Sequence, residues 1–93
     1  MLFGQEIRKL REERGLLQRQ IAASLEIDGG LYSKIERGER KAKREQVISL
    51  AKVFKIEEDS LMAIWLADQI KETVGDEKKA VAQDAINTFC KMM

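Results

Sequence analysis

"QRQIAASLEIDGGLYSKIE", residues 18–36, is the stretch on which the fold turns. Ile21, Ala22 and Leu25 recur at intervals of three and four, and Tyr32 and Ile35 repeat the interval of three. That is the spacing of one helical face, not the two-residue period of a strand. Asp28, between the two groups, suits an N-cap, because its carboxylate can accept from the free amides of a following turn. The stretch therefore predicts two short helices, Gln18 to Leu25 and Gly29 to Glu36, joined by a tight turn. Gly29 and Gly30 are the anomaly, since glycine in a helix costs roughly 1 kcal/mol relative to alanine. A loose turn without an Asp28 cap is the competing reading of that pair.

The same helical period continues on both sides. Upstream, Phe3, Ile7 and Leu10 define a first helix that stops at Gly15, where a left-handed cap suits glycine. Downstream, Gly38 closes the third helix, and Val47, Leu50, Ala51 and Phe54 form the inward stripe of a fourth. Ile56 can act as a hydrophobic staple for a fifth helix running from Glu57 to about Thr73. Gly75-Asp76 breaks that helix, and a sixth carries Ala80, Val81, Ala85, Ile86 and Phe89. The expected class is all-α: five helices with an additional C-terminal helix. The fifth is apolar on two faces, Leu61, Ile64 and Trp65 on one and Met62, Leu66 and Ile70 on the other. A helix greasy on two sides is buried on two sides. One face closes the core; the other meets the sixth helix, a second subunit, or both.

Composition narrows the function. The 93 residues are 44% hydrophobic and 35% charged, with no apolar run near the about 20 residues of a membrane span, which points to a cytoplasmic protein with no membrane partner. Histidine is absent and Cys90 is the single cysteine. Neither a zinc-ligand cluster nor a Cys-His nucleophile can be assembled, so no metal, no cofactor and no enzymatic activity are expected. The net charge of +1 conceals a polarity. From Lys34 to Arg44, the basic residues Lys34, Arg37, Arg40, Lys41, Lys43 and Arg44 face only Glu36 and Glu39, whereas acidic residues dominate from Glu57 to Asp84. A basic stripe on one side suggests a polyanionic partner there.

Four segments in order, "IRKLREERG", "QRQIAASL", "SKIERGER" and "LAKVFKIEEDSL", lie at mutual spacings that resemble those of the phage-repressor (Xre/Cro-like) helix-turn-helix family. The resemblance covers residues 4 to about 62 and departs from the family at Leu17 (usually Thr or Ser), Glu26 (usually Gly) and Ala42 (usually Pro). It implies that residues 1–62 form a DNA-binding domain whose third helix enters the major groove by its N-terminal end. Gly29, Gly30, Leu31, Ser33 and Lys34 would then face base edges, the glycines by letting the backbone approach closely. Gln18, Arg40, Lys41, Lys43 and Arg44 would contact phosphates. Arg11 and Glu36 would form a structural ion pair between the first and third helices. Tyr32 and Trp65 are expected to be packing residues.

The partners so implied are double-stranded DNA and a second copy of the chain. Residues 63–93 would hold the dimer, with Met62, Leu66 and Ile70 at the interface and a palindromic operator as the consequence. An antitoxin or other interaction module, whose C-terminal segment binds a different protein, is the alternative. No small-molecule effector is expected, since about 30 residues beyond the DNA-binding core leave little room for a pocket of several hundred cubic ångströms.

Overall fold

Every apolar stripe of the sequence is a helix in the computed structural model, which describes residues 1–93. The elements are α1 (Leu2–Glu13), α2 (Gln18–Leu25), α3 (Gly29–Glu36), α4 (Arg44–Phe54), α5 (Glu58–Val74) and α6 (Lys79–Met92). No strand is present. Four of the helices end in the same way: a residue one or two positions past the helix adopts positive φ, at Gly15, Glu26, Gly38 and Lys55. The amide that follows bonds back to the last turn, from Leu16 to Arg11 O, Ile27 to Ala22 O, Glu39 to Lys34 O and Ile56 to Ala51 O. Glycine adopts this geometry freely, whereas Glu26 and Lys55 adopt it at a cost of about 1 kcal/mol each. Ile27 and Ile56, next in the chain, pack against the core.

The helix starts are uneven. Asp28 caps α3 as expected, accepting from Gly30 N at 3.1 Å. Leu17 before α2 and Lys43 before α4 have no side-chain acceptor for the role. There Gln20 and Gln46 supply the reciprocal bond, each accepting from the amide three residues back, at 2.7 and 2.8 Å. The start of α1 is capped from far away in the sequence: Asp68, on α5 and 4% exposed, accepts from Leu2 N at 3.0 Å and Phe3 N at 2.9 Å.

α1 packs on α3, α4 and α5, α2 packs on α3 and α4, and α4 packs on α5. Their shared core contains Phe3, Ile7, Leu10, Ile21, Tyr32, Ile35, Val47, Leu50, Phe54 and Leu61. Arg14 ties the end of α4 to α1, its Nε donating to Phe54 O at 3.0 Å. α6 forms no comparable packing with any helix, and none of its residues is buried. The radius of gyration is accordingly 14.9 Å, against about 12 Å for a compact chain of this length. The molecule is a five-helix body with an arm.

Two expectations need correction. The boundary between residues 62 and 63 falls inside α5, which runs unbroken to Val74 and returns Ile64, Trp65 and Asp68 to the body; the chain leaves the body at Gly75. Met62 is also not part of an outer face. It is 8% exposed and belongs to the core, while Leu66 at 42% and Ile70 at 47% are open. The three share one helical stripe in the sequence, but the body covers only its first turn.

Candidate nucleic-acid interface

The placement of α3 is governed by one carboxylate. Glu36, 6% exposed, accepts from Arg11 Nε at 2.7 Å and Arg11 Nη2 at 3.2 Å, a two-pronged pair joining α1 to α3. Gln18 Nε2 donates to the same carboxylate at 3.0 Å, and Arg11 Nη1 donates to Leu16 O at 3.0 Å. Burial pushes the Glu36 carboxyl up, but the bonds from Arg11 and Gln18 and the nearby Tyr32 hydroxyl together outweigh it, so its pKa lies below the usual carboxylate range. Tyr32 Oη is itself buried without a hydrogen-bond partner, and burial beside this carboxylate raises its pKa strongly. Tyr32 is fully buried, the packing residue that was expected.

A second constraint comes from Gly4. A Cβ there would overlap the Glu36 carbonyl oxygen and lie 2.9 Å from the Ile35 carbonyl oxygen. α1 and α3 touch backbone to backbone at the end of α3 because residue 4 has no side chain.

Held in this way, α3 presents its first turn outward. Gly29, Gly30 and Lys34 are exposed, while Leu31 and Ser33 are partly buried. Leu31 also packs against the core, so only part of its side chain is free, and Ser33 Oγ accepts from Arg37 Nη1 at 2.6 Å. A Cβ on Gly29 would meet nothing within 4 Å, so nothing inside the protein requires glycine there. On Gly30 it would lie 2.9 Å from Asp28 Oδ2, the oxygen that caps the helix.

The basic residues after α3 fall into two groups. The ion pairs of the chain are Arg8–Glu12, Arg11–Glu36 and Arg37–Glu39; Lys34, Arg40 and Lys43 stand outside them and are exposed. Lys41 and Arg44 instead lie against α5. Lys41 Nζ donates to Gln69 Oε1 at 2.8 Å and sits 5.4 Å from the centre of the Trp65 ring, and the Arg44 guanidinium sits 5.5 Å from the same centre. Between them, Ala42 is buried and its carbonyl accepts from Trp65 Nε1 at 2.9 Å. Gln18 gives one N–H of its amide to Glu36, which leaves the second N–H and the carbonyl oxygen of that amide without a protein partner.

The sequence reading missed the involvement of Trp65, Gln69 and Asp68, because each acts on a partner more than 20 residues away, and no local pattern marks such pairs.

Between α5 and α6 lies an apolar groove of about 400 Å³, lined by Leu66, Ile70, Val74, Ala85, Ile86 and Phe89, with Gln69 and Thr73 as its polar groups. The expectation was of little room for a pocket beyond the DNA-binding core; α5 and α6 do not pack closely, and this volume stays open between them. The groove offers few polar groups with which to orient a small molecule.

Residues 4–72 match the sequence pattern of the helix-turn-helix domain family. Searches of curated proteins and of solved structures gave no match.

Proposed function

Because the chain belongs to the helix-turn-helix domain family, we propose that it is a sequence-specific regulator of transcription of the phage-repressor (Xre/Cro-like) type, acting in the cytoplasm as a homodimer on a palindromic operator. The observation that carries this reading is the exposed first turn of α3 beside a set of unpaired cations. Gly29 and Gly30 lie open at its start, Lys34 is exposed in its last turn, and Arg40 and Lys43 follow its end. In this reading Lys34 donates to guanine O6 and N7, Ser33 bonds a base edge, and the free part of Leu31 meets a thymine methyl. The two glycines admit the backbone to the groove floor, which fits the open space around Gly29. Gln18 and the amides of α2 take one phosphate, and Arg40, Lys41, Lys43 and Arg44 take the backbone beyond.

The dimer part of the reading rests on the arm. Leu66 and Ile70 on α5 and Val81, Ile86 and Phe89 on α6 are all exposed, and a gathering of exposed apolar residues marks an interaction surface. Two arms related by a two-fold axis would cover each other and set two copies of α3 about one turn of DNA apart, roughly 34 Å. The same groove supports a second reading, in which the arm binds a different protein as an antitoxin does. Sedimentation of the purified chain at micromolar concentration separates the two: a dimer supports the first reading, and a monomer supports the second.

DNA binding is tested by titrating random-sequence duplex with the protein at several salt concentrations. Affinity should fall steeply with salt, and Lys43→Ala should lower the log–log slope by somewhat less than about 1. An affinity indifferent to salt would contradict the phosphate-contact assignment.

A further inference from the structure

The cations after α3 do not stand alone. The segment from Glu39 to Lys43 is not helical, and its amides at Glu39 and Arg40 reach back to Lys34 O, at 2.9 and 3.3 Å. Further along, it is fixed by one buried methyl and one carbonyl, both of Ala42, and the carbonyl is held by Trp65 Nε1 at 2.9 Å. The indole ring also lies close to two cations, Lys41 Nζ at 5.4 Å and the Arg44 guanidinium at 5.5 Å, while Gln69, one turn along α5, accepts from Lys41 Nζ at 2.8 Å. The cavity beneath this junction measures about 20 Å³, room for a single water, so the segment is seated on α5.

We propose that Trp65 is a positioning residue for the DNA backbone: from α5 it fixes the segment from Arg40 to Arg44 and holds Lys41 and Arg44 against one ring, from which both can meet the phosphate backbone. This rests on the DNA-binding reading above and deepens it. Two like charges drawn to one ring repel each other, and phosphates brought beside them offset that repulsion. Ordering the segment in advance also removes part of the entropy lost on binding. The helix that carries the apolar arm thus also carries the support of the phosphate contacts.

The test uses the full chain, end-labelled random-sequence duplex and fluorescence anisotropy between about 50 and 200 mM salt. Trp65→Leu removes ring and donor; it should lower the salt slope by about 1 to 2 and weaken binding roughly tenfold at about 0.1 M salt, as expected for losing one or two cation contacts. Trp65→Phe keeps a ring face for the cations and should recover most of the slope, which a role in packing alone would not require. Gln69→Ala, which frees Lys41 Nζ and leaves the ring, should weaken binding less, in the same direction. Trp65 is the single tryptophan, so its emission in the wild type should change as duplex is added and revert as salt displaces it. That readout, with Gln69→Ala, decides the matter if Trp65→Leu does not fold. A folded Trp65→Leu protein with wild-type slope and affinity overturns the proposal alone, and so does Trp65 emission that ignores saturating duplex. Wild-type protein that binds no duplex overturns the DNA reading, and the proposal with it.

Discussion

The body and the arm are built from the same material and differ in what their apolar faces meet. In α1 to α5, the apolar stripes find partners within the chain except at Leu66 and Ile70 on α5, and the buried carboxylates find theirs as well, Asp68 at the start of α1 and Glu36 at Arg11. In α6 the stripe is as regular, yet no residue is buried. An amphipathic pattern therefore specifies that a helix forms and which face is apolar, while the identity of the covering surface depends on geometry beyond the helix. The body has a shared core within one chain, and the arm leaves its apolar stripe uncovered.

Substitutions should divide along that line. The largest effect is expected at Gly4→Ala, where the new methyl meets backbone carbonyls that cannot rotate away; about 3 kcal/mol of folding stability should be lost. Urea denaturation measures it, and a neutral result would mean that α1 and α3 can separate freely. Glu36→Gln should cost about 2 kcal/mol, since Arg11 and Gln18 would face a neutral amide.

The same substitution has a signature in pH. The Glu36 pKa is lowered in the folded protein, so its stabilisation is present above the unfolded-state pKa, about 4.3, and is lost as pH falls through the folded value. Wild type should therefore lose more stability than Glu36→Gln between neutral pH and about pH 3. Equal losses would mean that Glu36 is not an ionised partner of Arg11. The smallest effect on folding belongs to the arm. Phe89→Ser should change the stability of the isolated chain by no more than about 0.5 kcal/mol while weakening self-association in sedimentation. A large folding loss in the monomer would erase the distinction between body and arm.

The same division explains what could be read from the residues. The second, third and fifth helices were legible to within a residue or two because the apolar period marks a helical face, and Gly15 and Gly38 marked the ends of the first and third. The Arg11–Glu36 pair followed from resemblance and is present. Glu26 shows how geometry can persist when its usual residue is gone: the left-handed turn remains at φ 57° although glycine does not. Other features were hidden. Gly4 looks like an ordinary residue near a chain start, and only the approach of α3 makes it necessary. Asp68 is one carboxylate in an acidic segment until its distance to Leu2 and Phe3 is known. Trp65 read as packing because a period reports faces, and its indole N–H acts along the edge of one. Met62 was assigned outward with Leu66 and Ile70 because a stripe does not say where the body beneath it stops.

All of this supports an account in which the open first turn of α3 reads bases while its flanks and the arm fix its position. Selection of bound duplexes from a random pool by the full chain tests that most directly. The account predicts enrichment of one two-fold symmetric site whose half-sites are centred about one helical turn apart, roughly 34 Å. Recovery of no preferred sequence by a folded protein that still binds duplex, or of an asymmetric site without a second half, would contradict it.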